Sequence, residues 1–243
     1  LRKIREYYPA GLAAGLKWRI RTAIHDPGGT NVEYAKTRMI RTMRGTNRDF
    51  LPGIPCPHAA NEEYCRVINT LKQASIESNL GIPLYISFDD EGDQSAEYYR
   101  DGYRFMPTYW GINSIGSEDA ERLAYEVPWA IARQAMPLGF DWIYSFCVDV
   151  NTNPMNPEIG TRSWSSDPQV VIRMARRALQ AYKDAGMICS AKHFPGRGAS
   201  VSDSHRGMPV IDISKEELSE VHLAPYRALF AEGVPSVMTA HTL

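Results

Sequence analysis

The residues best suited to chemistry lie in one glycine-rich segment, residues 191–209. Lys192 and His193 end an apolar run, so a strand would hold both side chains on a rigid element. Adjacent strand residues face opposite sides, and both reach one ligand only if the chain turns there, which Pro195 and Gly196 favour. The segment therefore predicts a polar site at the end of a strand.

A second pair in this segment, Asp203 and His205, is spaced two residues apart. At this spacing the carboxylate can accept a hydrogen bond from one imidazole nitrogen, which fixes the tautomer and leaves the other nitrogen free for proton transfer. An imidazole with a pKa near ~6.5 can act as an acid and then as a base at neutral pH. The spacing fits an Asp-Ser turn with an incidental surface histidine equally well, so both interpretations stay open.

Helical and strand patterns alternate along the chain from about residue 61. Strands separated by amphipathic helices form parallel βαβ units, and short apolar strands are typical of sheets buried on both faces, so the predicted fold class is α/β. The predicted strands are residues 83–88, 140–150, 187–193 and 236–241. The predicted helices run from Asn61 to Gly81, from Ser117 through a kink at Pro128, from the N-cap Asp167 to Gly186, and from the Ser214–Glu217 capping box to about Gly233. The first 60 residues indicate only a possible early strand and a helix.

Polar or ionisable side chains follow each of these four strands. They are residues 89–91, Asp149 with Asn151 and Asn153, Lys192 with His193, and His241. Because the catalytic groups of (β/α) barrels lie at the carboxyl ends of the strands, this arrangement favours an active site at one end of a barrel.

Composition excludes several classes of protein. The chain has 243 residues, 27 basic and 28 acidic side chains and a formal net charge of −1, which gives no electrostatic basis for binding nucleic acid or an anionic membrane. The most apolar region, residues 127–150, is interrupted by Arg133, Gln134 and Asp141, so no membrane span is expected.

The four cysteines show no CxxC spacing and no matched histidine pair, so no zinc, other metal or cofactor is expected. Cys147 and Cys189 lie in apolar runs and are predicted to be core residues. A disulfide between Cys56 and Cys65 stays open, and the compartment stays open with it.

Several segments together resemble glycoside hydrolase family 3, in its β-N-acetylglucosaminidase branch. The most specific is Lys192-His-Phe-Pro-Gly-Arg-Gly198 followed by Asp203-Ser-His205. Residues 82–92, 148–168 and 237–241 resemble the family's other motifs in the same order and spacing. The likeness covers roughly residues 65–243.

The resemblance implies a TIM-type (β/α)8 barrel and a retaining hydrolysis of terminal β-linked N-acetylglucosamine through a covalent glycosyl-enzyme intermediate. It implies that His205 is the general acid and base and that Asp203 is its partner. The implied partner of the protein is therefore a carbohydrate that contains N-acetylglucosamine.

The resemblance also implies a set of substrate-binding residues. Asp89 would hold sugar hydroxyls, and Arg162, Lys192 and His193 would bind the sugar at the cleavage site. A positively charged surround of this kind would keep an attacking carboxylate ionised. The chain departs from the family pattern at residues 93–95, where Asp-Gln-Ser replaces a glycine and a sugar-binding arginine.

The family's nucleophile is an aspartate on the strand after residues 237–241, so it is expected beyond Leu243. A closed barrel needs eight strands and four are clear here, so the barrel is expected to be incomplete at the C-terminus, with the remainder in a second chain or a missing segment. Residues 1–60 are expected to form the N-terminal segment of the barrel, with atypical loops. Residues 61–243 are expected to form the βα units of the family's N-terminal barrel domain.

Two other functions stay open at this point. The chain fits a non-catalytic sugar-binding homologue, which the altered residues 93–95 favour slightly. It also fits a β-N-acetylglucosaminide phosphorylase of the same fold, because a histidine acid tolerates an anionic acceptor that a carboxylate would repel. Trp164, close to Arg162 in sequence, is predicted to pack in the core or a loop, with a place beside the sugar as the alternative.

Overall fold

The computed structural model describes residues 24–25, 61–78, 85–88, 112–113, 117–203 and 207–243. The chain divides into two compact units. The first contains residues 1–88, 98–101 and 134–142, and the second contains residues 89–97, 102–133 and 143–243. Most of the predicted segment 1–60, and with it Cys56, lies outside the described residues.

The first unit contains two parallel strands and a helix. Strand β1 (Ile24–His25) pairs with β2 (Ile86–Phe88), with Ile24 opposite Ile86, so the possible early strand of the sequence is present. Helix α1 (Asn61–Ser78) begins at the predicted residue. Lys72 on this helix lies 2.7 Å from Asp141, whose carboxylate also accepts the Ile86 amide at 3.0 Å. Asp141 thereby links the segment just before Trp142 to helix α1 and to strand β2.

The second unit contains the strands and helices that surround the candidate site. Helix α2 (Ser117–Ala135) runs through Pro128, and its last two residues belong to the first unit. Of strand β3 (Trp142–Ile143), Trp142 is assigned to the first unit and Ile143 to the second. Helix α3 (Pro168–Ala185), strand β4 (Ile188–Phe194) and strand β5 (Ser236–Thr239) follow, and β4 and β5 are parallel, with Lys192 opposite Met238.

The predicted strand 140–150 is wrong in extent. Regular strand is limited to β3, although Cys147 still forms an isolated parallel bridge with Lys192. Further pairing with β4 comes from the Lys192 amide, which donates to the Phe146 carbonyl at 3.1 Å. The ladder does not continue because the Asn151 amide donates instead to the Ser165 carbonyl, at 3.1 Å. The segment therefore leaves the sheet just after Asp149.

Helix α3 confirms the sequence prediction at both ends. The Asp167 side chain accepts the Gln169 amide at 2.8 Å, Pro168 occupies the first turn, and Gly186 ends the helix with a left-handed φ of 83°. The predicted apolar face is the buried one: Val171, Met174, Ala175, Ala178, Leu179 and Tyr182 are all buried. Burial of this face removes apolar surface from water and so stabilises the second unit.

Replacing Asp167 by alanine should lower the free energy of unfolding by about 1 kcal/mol, because the Gln169 amide loses its acceptor. Urea unfolding of the full-length protein measures the change. Asp212→Ala removes an exposed aspartate outside the helix and should change stability by less than about 0.5 kcal/mol. Equal losses in the two variants would contradict a capping role.

The last predicted helix is interrupted. Ser214 caps it as predicted, accepting the Glu217 amide at 3.0 Å, but helix α4 (Lys215–Glu217) is followed by a π turn (Leu218–His222) before helix α5 (Ala224–Ala231). Pro225 has no N–H to donate, and the Leu223 amide reaches back five residues to the Leu218 carbonyl at 2.8 Å. The π turn places His222 in the interior, and burial lowers the pKa of this histidine.

Two predictions from composition concern thiols and membranes. Cys147 and Cys189 are buried, as predicted, and burial raises the pKa of Cys189 to about 12. Among the described helices, none combines the length and apolar character needed to cross a membrane.

Candidate active site

Strand β4 delivers Lys192 and His193 to the site. Both are buried, with 2% and 6% of their surfaces exposed. The register between β4 and β5 shifts between Lys192 and Phe194, so regular alternation is broken at His193. The sequence required such a break for the two side chains to serve one site, and the Lys192 charge lies close enough to lower the pKa of His193.

Asp149 is the centre of the hydrogen bonds around this strand end. Its fully buried carboxylate accepts His193 Nδ1 at 2.7 Å and the His193 amide at 3.1 Å. It also accepts the Arg197 amide at 2.7 Å and the Cys147 thiol at 3.1 Å. Burial alone would raise the pKa of Asp149, but His193, the amide of Arg197 and the thiol hold it at about 2.

His193 is held in one tautomer. Arg162 Nη2 lies 3.2 Å from His193 Nε2, and a guanidinium can only donate hydrogen bonds. Nε2 is therefore the acceptor, and Nδ1 carries the proton that Asp149 accepts. Burial lowers the pKa of His193, and the nearby Asp149 offsets only part of this effect. The charges of Lys192 and Arg162 lower the pKa further. Lys192, His193 and Arg162 were expected to surround the sugar with positive charge. Of these three side chains, the His193 imidazole is neutral, and the positive charge comes from Lys192 and Arg162.

Arg162 reaches the site from a short 3-10 turn, Gly160–Arg162. Its Nη1 donates to the Glu158 carbonyl at 3.1 Å, and its side chain is 16% exposed. The Glu158 carboxylate lies 2.7 Å from Arg197 Nη2. The two arginines and the histidine are therefore joined in one cluster with Asp149 and Glu158.

Two loops carry this cluster and are bonded to each other. We call residues 151–160 the Asn loop and residues 195–203 the Gly loop. The Asn153 side chain donates to the Ser200 carbonyl at 2.8 Å, and the Asn153 main-chain N–H donates to the Gly198 carbonyl at 3.1 Å. The Asn156 side chain donates to the Arg197 carbonyl at 2.8 Å. These bonds fix the Asn loop and the Gly loop as one unit.

The predicted site residues divide into two groups. The structure brings Arg162, Lys192 and His193 together. Asp203 is half-buried near the end of the Gly loop, whereas His205 and Asp89 lie outside the described residues, so the pairing of Asp203 with His205 stays a prediction.

The suggestion that Trp164 could lie beside a sugar is wrong, because this side chain is completely buried. Two acidic residues have roles that the sequence pattern does not reveal. The sequence marks Asp149 only as a polar residue at a strand end, and Glu158 belongs to no pattern of candidate site residues. The position of Glu158 four residues before Arg162 was the signal available for it.

One group of described side chains has the composition of a metal site. Ligand atoms of Cys147, Asp149 and His193 lie within 4.8 Å of one another. Asp149 and His193 Nδ1 are 2.7 Å apart, whereas two ligands on a tetrahedral zinc with bonds of about 2.0 Å are separated by roughly 3.3 Å. The Asp149 oxygens are also occupied by two main-chain amides. The geometry therefore fits a hydrogen-bonded cluster better than a metal site.

Comparison with known proteins supplies a family and relatives. Residues 57–243 match the family described as "Glycosyl hydrolase family 3 N terminal domain". Beta-hexosaminidase A of Pseudoalteromonas piscicida is 32% identical over 174 residues, which are 71% of this chain and 29% of that protein. The beta-hexosaminidase of Xylella fastidiosa (strain M12) is 34% identical over 164 residues, covering 66% of this chain and 48% of the relative. The chain thus spans less than half the length of these curated relatives.

Solved structures are similar over the same region. A glycoside hydrolase family 3 beta-N-acetylglucosaminidase from Paenibacillus sp. str. FPU-7 has a TM-score of 0.76 and 28% identity, covering 94% of this chain and 42% of that chain. NagZ from Neisseria gonorrhoeae in complex with N-trifluoroacetyl-D-glucosamine has a TM-score of 0.70 and 27% identity, covering 76% of this chain and 54% of that chain. From the match over residues 57–243, this chain belongs to glycosyl hydrolase family 3, in the N-terminal domain of that family.

Proposed function

We propose that the protein carrying this chain is a glycoside hydrolase that releases terminal β-linked N-acetylglucosamine with retention of configuration. The observation that carries the proposal is the buried cluster of Lys192, His193 and Arg162 at the end of β4. The beta-hexosaminidase relatives and the NagZ complex with a glucosamine derivative support this choice of sugar. The family's N-terminal domain is a TIM-barrel-like α/β fold, and the proposal includes a closed (β/α)8 barrel.

The cluster offers hydrogen-bond donors to a sugar. Arg162 and Lys192 supply N–H groups for hydroxyl oxygens. His193 Nε2 accepts from Arg162 and so holds one edge of that guanidinium in place. Asp149 keeps this nitrogen unprotonated by holding the proton on Nδ1. Asp89 would accept hydroxyl protons, as the family resemblance implies.

The chemical steps follow the retaining mechanism. A carboxylate nucleophile outside these 243 residues attacks the anomeric carbon, and the glycosidic bond breaks as His205 gives its proton to the leaving oxygen. Water then attacks the same carbon, its proton passes to His205, and the carboxylate leaves. Asp203 holds His205 in the tautomer that these transfers need. Arg162 stays protonated at any working pH and helps to keep the nucleophile ionised.

The test is turnover of a chromogenic aryl β-N-acetylglucosaminide by the full-length protein. We expect release of the aryl group, with the β-anomer of the free sugar as the first product seen by NMR. The matching aryl β-glucoside, which lacks the acetamido group, should be hydrolysed much more slowly.

The same assay separates the other two functions. Binding of N-acetylglucosamine without turnover would indicate a sugar-binding homologue. Formation of sugar 1-phosphate when inorganic phosphate is added would indicate a phosphorylase. Release of the α-anomer as first product would contradict the retaining mechanism.

A further inference from the structure

Glu158 is a buried carboxylate with an arginine on either side. It is 4% exposed and lies 2.7 Å from Arg197 Nη2 and 3.9 Å from Arg162 Nη1. Its main-chain carbonyl also accepts a hydrogen bond from Arg162 Nη1, at 3.1 Å. One residue thus contacts both guanidinium groups of the cluster, and it contacts Arg162 through two different oxygens.

These contacts close a ring that includes the histidine. Arg162 donates to His193 Nε2, His193 Nδ1 donates to Asp149, and Asp149 accepts the Arg197 amide. The Arg197 side chain completes the ring through its ion pair with Glu158. A change at Glu158 is therefore transmitted to His193 from both directions.

The charges around the ring give a reason for a carboxylate at position 158. Arg162 and Arg197 are permanently charged and mostly buried, and a buried charge without a counter-charge is strongly destabilising. Asp149 is engaged by His193 and by two main-chain amides. The Glu158 carboxylate lies within 3.9 Å of both guanidinium groups and supplies negative charge to each.

We propose that Glu158 is a positioning residue for the sugar-binding cluster: it fixes the direction of Arg162 and anchors Arg197, and thereby presents His193 and Arg162 to the sugar in one arrangement. The inference rests on the proposed function, because it assigns a task within that sugar site. An arginine that is already oriented loses less side-chain freedom when the sugar binds, so Glu158 acts on affinity more than on the chemical step.

The first test is Glu158→Gln in the full-length protein, which keeps the size of the side chain and removes its charge. We expect the KM for the aryl N-acetylglucosaminide and the Kd for N-acetylglucosamine to rise about tenfold, as for one lost charge-assisted hydrogen bond. The kcat should change by less than about threefold. Glu158→Asp, which keeps the charge, should restore part of the affinity.

The matched control is Glu121→Gln. Glu121 pairs with Arg173 at 3.4 Å, but both side chains are more than 40% exposed. Removal of this surface pair should leave KM and kcat unchanged. A folded Glu158→Gln variant with the KM and Kd of the wild type overturns the proposal.

A second variant covers the case in which Glu158→Gln does not fold. The double change Glu158→Leu with Arg197→Met removes both charges of a buried pair and fills similar volume, which proteins often tolerate. A folded double variant with raised KM supports the proposal, and one with unchanged KM overturns it.

A measurement without sugar separates this inference from the function on which it rests. The 15N shift of His193 Nε2 reports the hydrogen bond from Arg162, and in Glu158→Gln it should move toward the value of a nitrogen without that donor. An unchanged shift counts against the role of Glu158. A wild-type protein that neither binds nor hydrolyses the sugar counts against the proposed function instead.

Discussion

Gly198→Ala is expected to lower the free energy of unfolding by roughly 3 kcal/mol and to abolish the proposed binding of N-acetylglucosamine. A Cβ at this position would lie 1.7 Å from the Val150 carbonyl oxygen and 3.0 Å from the Asn151 Cα. Because both are main-chain atoms, no rotamer change relieves the overlap. The Gly loop must move away from the Asn loop, which breaks the bond between Gly198 and Asn153.

Urea unfolding and titration with N-acetylglucosamine measure the two effects of Gly198→Ala. The control is Gly207→Ala, where a Cβ would meet no atom within 4 Å. That change should alter stability by less than about 0.5 kcal/mol. Comparable losses of stability in the two variants would mean that the close approach of the two loops contributes little to stability.

Asp149→Asn should cost about 3 kcal/mol of stability and most of the sugar affinity. The asparagine side chain has one oxygen where the aspartate has two, so its NH2 group must face donors that a carboxylate accepts. Either the NH2 group opposes the Arg197 amide or it opposes His193, and in both arrangements the charged acceptor that keeps the proton on Nδ1 is lost. Asp184→Asn is the control, since Asp184 also accepts side-chain hydrogen bonds but on an exposed surface, and it should cost less than about 1 kcal/mol.

The pH dependence of stability provides an independent check of Asp149. Its pKa is lowered from 3.8 to about 2, so the folded state is favoured above pH 4 by about 2 kcal/mol, which is lost as the pH falls toward 2. Asp149→Asn lacks this loss, so the difference in stability between wild type and variant should shrink between pH 4 and pH 2. The lowered pKa of His193 affects stability in a different pH range. The folded state loses stability as the pH falls below 6.5, because the unfolded state then binds a proton that the folded state does not. A constant difference between pH 4 and pH 2 would contradict an ionised Asp149.

Local signals in the sequence predicted helices better than strands. The ends of α3 were predicted because Asp167, Pro168 and Gly186 each act within one helical turn. The strand 140–150 was predicted too long because apolar residues indicate burial but do not show where hydrogen bonds to a neighbouring strand stop. The capping box and the apolar pattern after it indicate one helix, and they carry no sign of the π turn before the helix that contains Pro225.

The sequence predicted only those residues of the candidate site that a local signal or the family resemblance indicates. Lys192 and His193 share one strand end, and Arg162 entered through the family resemblance. The role of Asp149 depends on its position 44 residues before His193, and that of Glu158 on its pairing with Arg197. Contacts between residues so far apart in sequence depend on the fold, and spacing along the chain carries no trace of them.

The bonds between the Asn loop and the Gly loop constrain how this site can evolve. Asn153 and Asn156 donate to carbonyls at positions 197, 198 and 200, so an insertion in either loop would shift donors against acceptors. A change of length in one loop therefore breaks these bonds unless the other loop changes with it. New specificity has a shorter route through the exchange of single side chains such as Met155, which is exposed on this otherwise fixed framework.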